Sequence, residues 1–184
     1  MFLGLLLKIS TSAPIITNST YLVFEKEGKR VGKVIFGLYY NECPKTVENY
    51  LAAFSCQPKR EFCYNNTYVA KLNPNKRLSI GVTLATKSVK GDHESNHEEN
   101  KLLHDRAYLI TSNTHYKTFL TGEFYITFRA WPKYNEENIV FGRVLRGFDV
   151  LEKLKINSNE KDVDKIKIID SGIIQDDDDD DYDL

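Results

Sequence analysis

Cysteine is scarce: Cys43, Cys56 and Cys63 are the three in the 184-residue chain, and no two stand in C-x-x-C spacing. That excludes a zinc knuckle and a framework of several disulfides, and leaves open a single bridge between two of the three. No apolar run approaches the roughly 20 residues needed to span a bilayer. The apolar start MFLGLLL makes a poor signal segment, because no positive charge precedes it and Ala13 is followed by Pro14. The expected compartment is therefore the cytoplasm or nucleus, with the secretory pathway as the alternative. The sequons at Asn18 and Asn65 matter only in the second case. There is no internal repeat, and nothing has the form of a nucleic-acid module.

The length suits one compact domain with one core. Apolar residues at 41% and charged residues at 28% are ordinary for a globular protein, while 11 Tyr and 10 Phe lean toward β-structure. Charge is distributed unevenly. Seven of the last nine residues are aspartate (Asp176 to Asp181, and Asp183), so the rest of the chain stands at +6 against an overall −1. The organisation expected is an N-terminal extension over 1–20, a mildly basic body over 21–175 and an acidic, solvated tail over 176–184.

Within the body, residues 21–24 and 33–39 flank a Gly28-containing turn and read as a hairpin, with Gly37 marking a bulge or a close backbone approach. Pro44 suits the first position of a helix on which Val47, Tyr50, Leu51 and Phe54 repeat at i, i+3, i+4, i+7. Strand-like runs follow at 64–72, 78–84, 107–112, 124–128, 138–145 and 166–174, with a polar loop over 87–101 and a short helix over 148–155. The fold class expected is mainly β: about eight strands closed into an antiparallel barrel, which leaves no edge unpaired, and capped by two helices.

Three blocks give this pattern a family. EGKRVGKVIF (27–36) running into CPKTVENY (43–50), GEFYIT (122–127) and IVFGRVLRGFDV (139–150) resemble, in order and spacing, the conserved blocks of the cyclophilins, with a weaker echo in IIDSG (168–172). The resemblance implies an eight-stranded barrel with two helices and peptidyl-prolyl cis-trans isomerase chemistry. In the family an apolar pocket holds the proline ring while an arginine acts on the prolyl amide. This lowers a rotational barrier of about 20 kcal/mol electrostatically, without nucleophile, metal or cofactor.

The same resemblance implies that the site is rewritten. The family signature FHRxxPxFMxQGGD falls on VAKLNPNKRLSIGV (69–82), where Pro74 and Gly81 survive. Lys71 takes the place of the catalytic arginine and lacks its planar fork of donors. Lys76 and Arg77 replace the pocket phenylalanine and methionine, and Ser79 replaces a glutamine. The other half is better kept: Asn113 matches a backbone-binding asparagine, Ser112 an alanine and Tyr125 a pocket phenylalanine. Asn138 stands for a histidine, and either Trp131 or Tyr134 faces the groove. Read without the family, Lys71, Lys76 and Arg77 form a solvated basic face and Tyr125 is core.

The function expected is binding of proline-containing or extended peptides with weak or absent isomerase activity, by a monomer with no nucleic-acid partner and no membrane span in its mature form. The alternative is a slow but working isomerase. His93-Glu94-Ser-Asn-His97 formally matches the H-E-x-x-H zinc-hydrolase pattern, but its polar flanks give a helix no face to bury, so a metal site is not expected.

Overall fold

The computed structural model describes residues 13–56, 63–81, 98–99, 101–113, 122–156 and 163–175. His93 to His97 and the aspartates of 176–184 lie outside the described residues.

Among the described residues, one antiparallel sheet of nine strands dominates. β1 (Asn18–Lys26) and β2 (Lys29–Leu38) form the expected hairpin, with Glu27 and Gly28 both at positive φ, as a two-residue turn matched to strand twist requires. β1 begins three residues earlier than the apolar pattern suggests, because Thr17 to Ser19 already pair with the end of β2. The remaining strands are β3 (Thr67–Tyr68), β4 (Lys71–Asn73), β5 (Arg77–Ile80), β6 (Leu109–Asn113), β7 (Phe124–Thr127), β8 (Asn138–Arg146) and β9 (Ile166–Ile174). Their order is β3-β9-β1-β2-β8-β6-β7-β5-β4. The two ends of that order are consecutive in the chain: Val69 N–H donates to Ile166 O on β9, and Ala70 N–H donates to Ser79 O on β5. Residues 67–73 therefore serve as one bent strand joining both edges, which reconciles nine segments with the eight expected strands.

Period-2 alternation fills the inside with Leu22, Phe24, Val34, Phe36, Leu38, Leu72, Leu78, Ile80, Phe124, Ile126 and Phe141, all buried. Helix α1 (Pro44–Phe54) closes one mouth by inserting Val47, Tyr50, Ala53 and Phe54. Tyr50 stacks on Phe141 at 4.3 Å between centroids. Its hydroxyl lies 2.6 Å from both Ser112 Oγ and the Glu123 carbonyl. The Cys43 cap position supplies no side-chain bond to the helix start. Glu98 does so from a distance, accepting from Lys45 N–H, Thr46 N–H and the Thr46 hydroxyl. Helix α2 (Phe148–Lys155) spans the residues expected and packs Val150, Leu151 and Leu154 inward. Gly147 at its cap has φ 85°, and a Cβ there would sit 2.4 Å from Lys33 O, so glycine is required.

Gly37 is a close-approach position. An added Cβ would meet Ile16 at 2.9 Å, and its carbonyl lies where a Cβ on Gly142 would be 2.3 Å away. Cys56 and Cys63 form a disulfide, the single bridge that the spacing left open, and Cys43 is a free, buried thiol pushed up to about 12 by burial. No helix among the described residues is long and apolar enough to cross a membrane.

Candidate functional site

Registers across β4, β5, β7 and β6 decide which side chains share a face. Lys71 pairs with Ser79, Asn73 with Arg77, Ser79 with Tyr125, Arg77 with Thr127 and Thr111 with Tyr125. Directly opposed residues point the same way, so Lys71, Asn73, Arg77, Ser79, Tyr125, Thr127 and Thr111 lie on the outer face, opposite Leu72, Leu78, Phe124 and Ile126. This face is roofed by a 3-10 helix, η1 (Pro132–Glu136), which the strand and turn signals had not indicated.

Arg77 sits at the centre. Its guanidinium carbon is 3.9 Å from the Tyr125 ring centroid and 5.5 Å from that of Tyr134, and Nη1 donates to the Tyr134 hydroxyl. The cation thus stands at the position that the resemblance gives to a pocket methionine, over the ring of Tyr125, which is 8% exposed. Trp131 and Tyr134 both face the groove, their rings 5.6 Å apart. Lys76 Nζ stands 5.4 Å from the Trp131 ring and Arg129 4.1 Å from it. Lys71, Asn73, Lys76, Arg77, Trp131 and Tyr134 enclose a cavity of about 160 Å³. Burial pushes the Glu123 carboxyl up, and the charge of Arg77 pulls it partly back.

Of the residues singled out from sequence, Lys71, Lys76, Arg77 and Tyr134 line that cavity, and Tyr125 lies directly beneath Arg77. Ser79 is on the same face but buried, with no partner for its hydroxyl. Asn113 and Asn138 are register partners at the far end of β6 and β8. Asn113 is half-buried, and Asn138 is buried with its amide nitrogen unsatisfied. Ser112 is apart from the rest, turned inward to the Tyr50 hydroxyl. No cluster of three or more His, Cys, Asp or Glu suited to a metal occurs among the described residues.

Sequence reasoning missed His104 and Arg129. His104 is fully buried and holds the roof: Asn135 Oδ1 accepts from its backbone N–H and from Nδ1, each at 2.8 Å. Its Nε2 lies 2.8 Å from Thr111 Oγ1, and its ring edge faces Tyr134. Burial lowers its pKa, which favours the neutral ring, and Thr111 Oγ1, with one proton to give, also lies 3.0 Å from Ile139 O, to which it donates. No local motif marks this role; the Asn135 partner is 31 residues away.

The comparisons agree with this architecture. The family model described as cyclophilin type peptidyl-prolyl cis-trans isomerase matches residues 21–173. Peptidyl-prolyl cis-trans isomerase D of Saccharomyces cerevisiae is 29% identical over 171 residues, covering 88% of this chain and 75% of that protein. A probable inactive peptidyl-prolyl cis-trans isomerase-like protein of Homo sapiens is 26% identical over 155 residues, covering 77% of this chain and 49% of that one. The NK-tumor recognition protein of Mus musculus is 28% identical over 159 residues, 78% of this chain but 11% of its own length. This chain thus spans about a tenth of some relatives and three quarters of others. With the family model matching most of the body and the barrel and two helices in place, the chain belongs to the cyclophilin-type peptidyl-prolyl cis-trans isomerase family.

Proposed function

We propose that the domain binds extended peptide segments along the outer face of β5, β6 and β7, and turns over X-Pro bonds far more slowly than a family member with an intact pocket. The observation that carries this reading is Arg77 stacked on Tyr125 and bonded to Tyr134, a cation held where the resemblance implies an apolar pocket side chain. An isomerase must grip the ring to twist the preceding amide, and it must meet the twisted amide with oriented donors. Here the first requirement is blocked by Arg77. The second is weakened because Lys71 offers a point charge in place of a planar fork. Asn113 stands at the end of β6, at the position where the resemblance puts an asparagine that bonds the peptide backbone. Relatives named as isomerases and as a probable inactive isomerase-like protein are both compatible with this scaffold.

The test pairs two measurements on the full chain. A protease-coupled assay on an X-Pro peptide is expected to give a catalytic efficiency orders of magnitude below that of an intact family member. A peptide titration followed by the fluorescence of Trp131, the one tryptophan, is expected to saturate. A rate within about tenfold of intact members overturns the reading in favour of a working isomerase that uses Lys71. No saturation with any peptide overturns it altogether.

A further inference from the structure

We propose that the site selects its peptide by carboxylates: an aspartate or glutamate side chain of a partner protein enters the cavity between Lys71, Lys76 and Arg77. This rests on the peptide-binding reading above and names its ligand class. Among the described residues, the wall of the cavity carries three cations, one amide and two aromatic rings, and no carboxylate. At about 160 Å³ it is smaller than the ~300 Å³ at which small-molecule pockets begin, and suits one inserted side chain. Arg77 spends one donor on Tyr134 and keeps others of its five for a charge-assisted pair. Glu123, half-buried and immediately before β7, offsets part of the Arg77 charge, and the cations of the wall outnumber it.

The aromatic rings argue against single-stranded nucleic acid, which needs open ring faces for stacked bases. Here Tyr125 already carries Arg77, and Trp131 carries Arg129 and Lys76. The acidic segment assigned here is that of a separate chain, whose carboxylates are the charge complement of this wall.

Calorimetry on the full chain tests this with three synthetic decapeptides: one reproducing residues 175–184 in trans, its counterpart with Asn for every Asp, and a neutral Ala-Pro-containing peptide. The acidic peptide is expected to bind at least tenfold tighter than either neutral one and to weaken steeply between 50 and 300 mM salt. Lys76→Gln, an exposed change that does not threaten folding, and Arg77→Gln are each expected to cut its affinity at least fivefold. If the neutral peptides bind as tightly as the acidic one, carboxylate selection fails while peptide binding stands. If no peptide binds, both fail. An oligonucleotide binding tighter than the acidic peptide, or a salt-sensitive dimer of the protein alone in sedimentation, would overturn the assignment to an acidic partner protein.

Discussion

Lys71→Arg, alone and with Lys76→Phe and Arg77→Met, is the perturbation whose outcome can be worked from the geometry. A guanidinium stacked at 3.9 Å on a mostly buried ring contributes about 1 kcal/mol, and the bond to the Tyr134 hydroxyl about as much again. Swinging Arg77 aside therefore costs about 2 kcal/mol, which leaves the pocket open roughly 3% of the time and weakens apparent binding of a proline ring about 30-fold. Restoring the arginine alone by Lys71→Arg leaves this factor in place, so it recovers little activity. The triple change removes the factor and exposes Tyr125, so its catalytic efficiency should exceed that of the single variant by about 30-fold or more. The same variant should gain affinity for cyclosporin-like ligands, which the wild type is expected to bind weakly. A protease-coupled assay on both variants, with thermal melts to confirm folding, decides the matter. Equal activity in single and triple variants would refute the claim that Arg77 blocks the pocket.

Other expectations follow from the same contacts. Burial holds the folded-state pKa of His104 below its ordinary 6.5, so the unfolded chain takes up that proton first as pH falls. The stability it contributes is complete above about pH 6.5 and is lost as pH falls through the folded value. Thermal melts from pH 8 to 4.5 should show the loss, and His104→Asn should flatten it. Cys56→Ser with Cys63→Ser opens a loop of sequence separation 7, for a loss of about 2 kcal/mol, read as a shift of roughly 1 M in the urea midpoint. Alkylation of denatured, unreduced protein should tag Cys43 alone. Gly142→Ala places a Cβ 2.3 Å from the Gly37 carbonyl and should cost about 1–3 kcal/mol by chemical denaturation.

The parts of the fold legible in the sequence were those written in periodicity. Residues 148–155 and 166–174 became α2 and β9 without change of boundary, and Pro44 opens α1 as its fixed φ allows. The start of β1 was missed because Asn18, Ser19 and Thr20 are polar and are held as strand by pairing alone. The roof helix η1 was missed because it is tied by His104 and Asn135, residues without periodic spacing between them. At the site, alignment to the family placed Lys71, Lys76, Arg77 and Tyr125 on one face. It could not tell that Arg77 lies on Tyr125 while Lys76 turns to Trp131, since both are set by packing against η1. Ser112 is matched to a groove alanine by the resemblance, yet strand alternation turns it toward Tyr50.

Exchange NMR on a labelled X-Pro peptide mixed with the full-length wild-type protein measures binding and turnover in one sample. The account predicts peptide shifts that saturate with protein concentration, perturbations at Arg77, Tyr125 and Asn113, and cis-trans exchange orders of magnitude slower than with an intact family member at equal occupancy. Saturating shifts accompanied by exchange within about tenfold of that member would contradict it, because a proline ring would then be seated where Arg77 is placed.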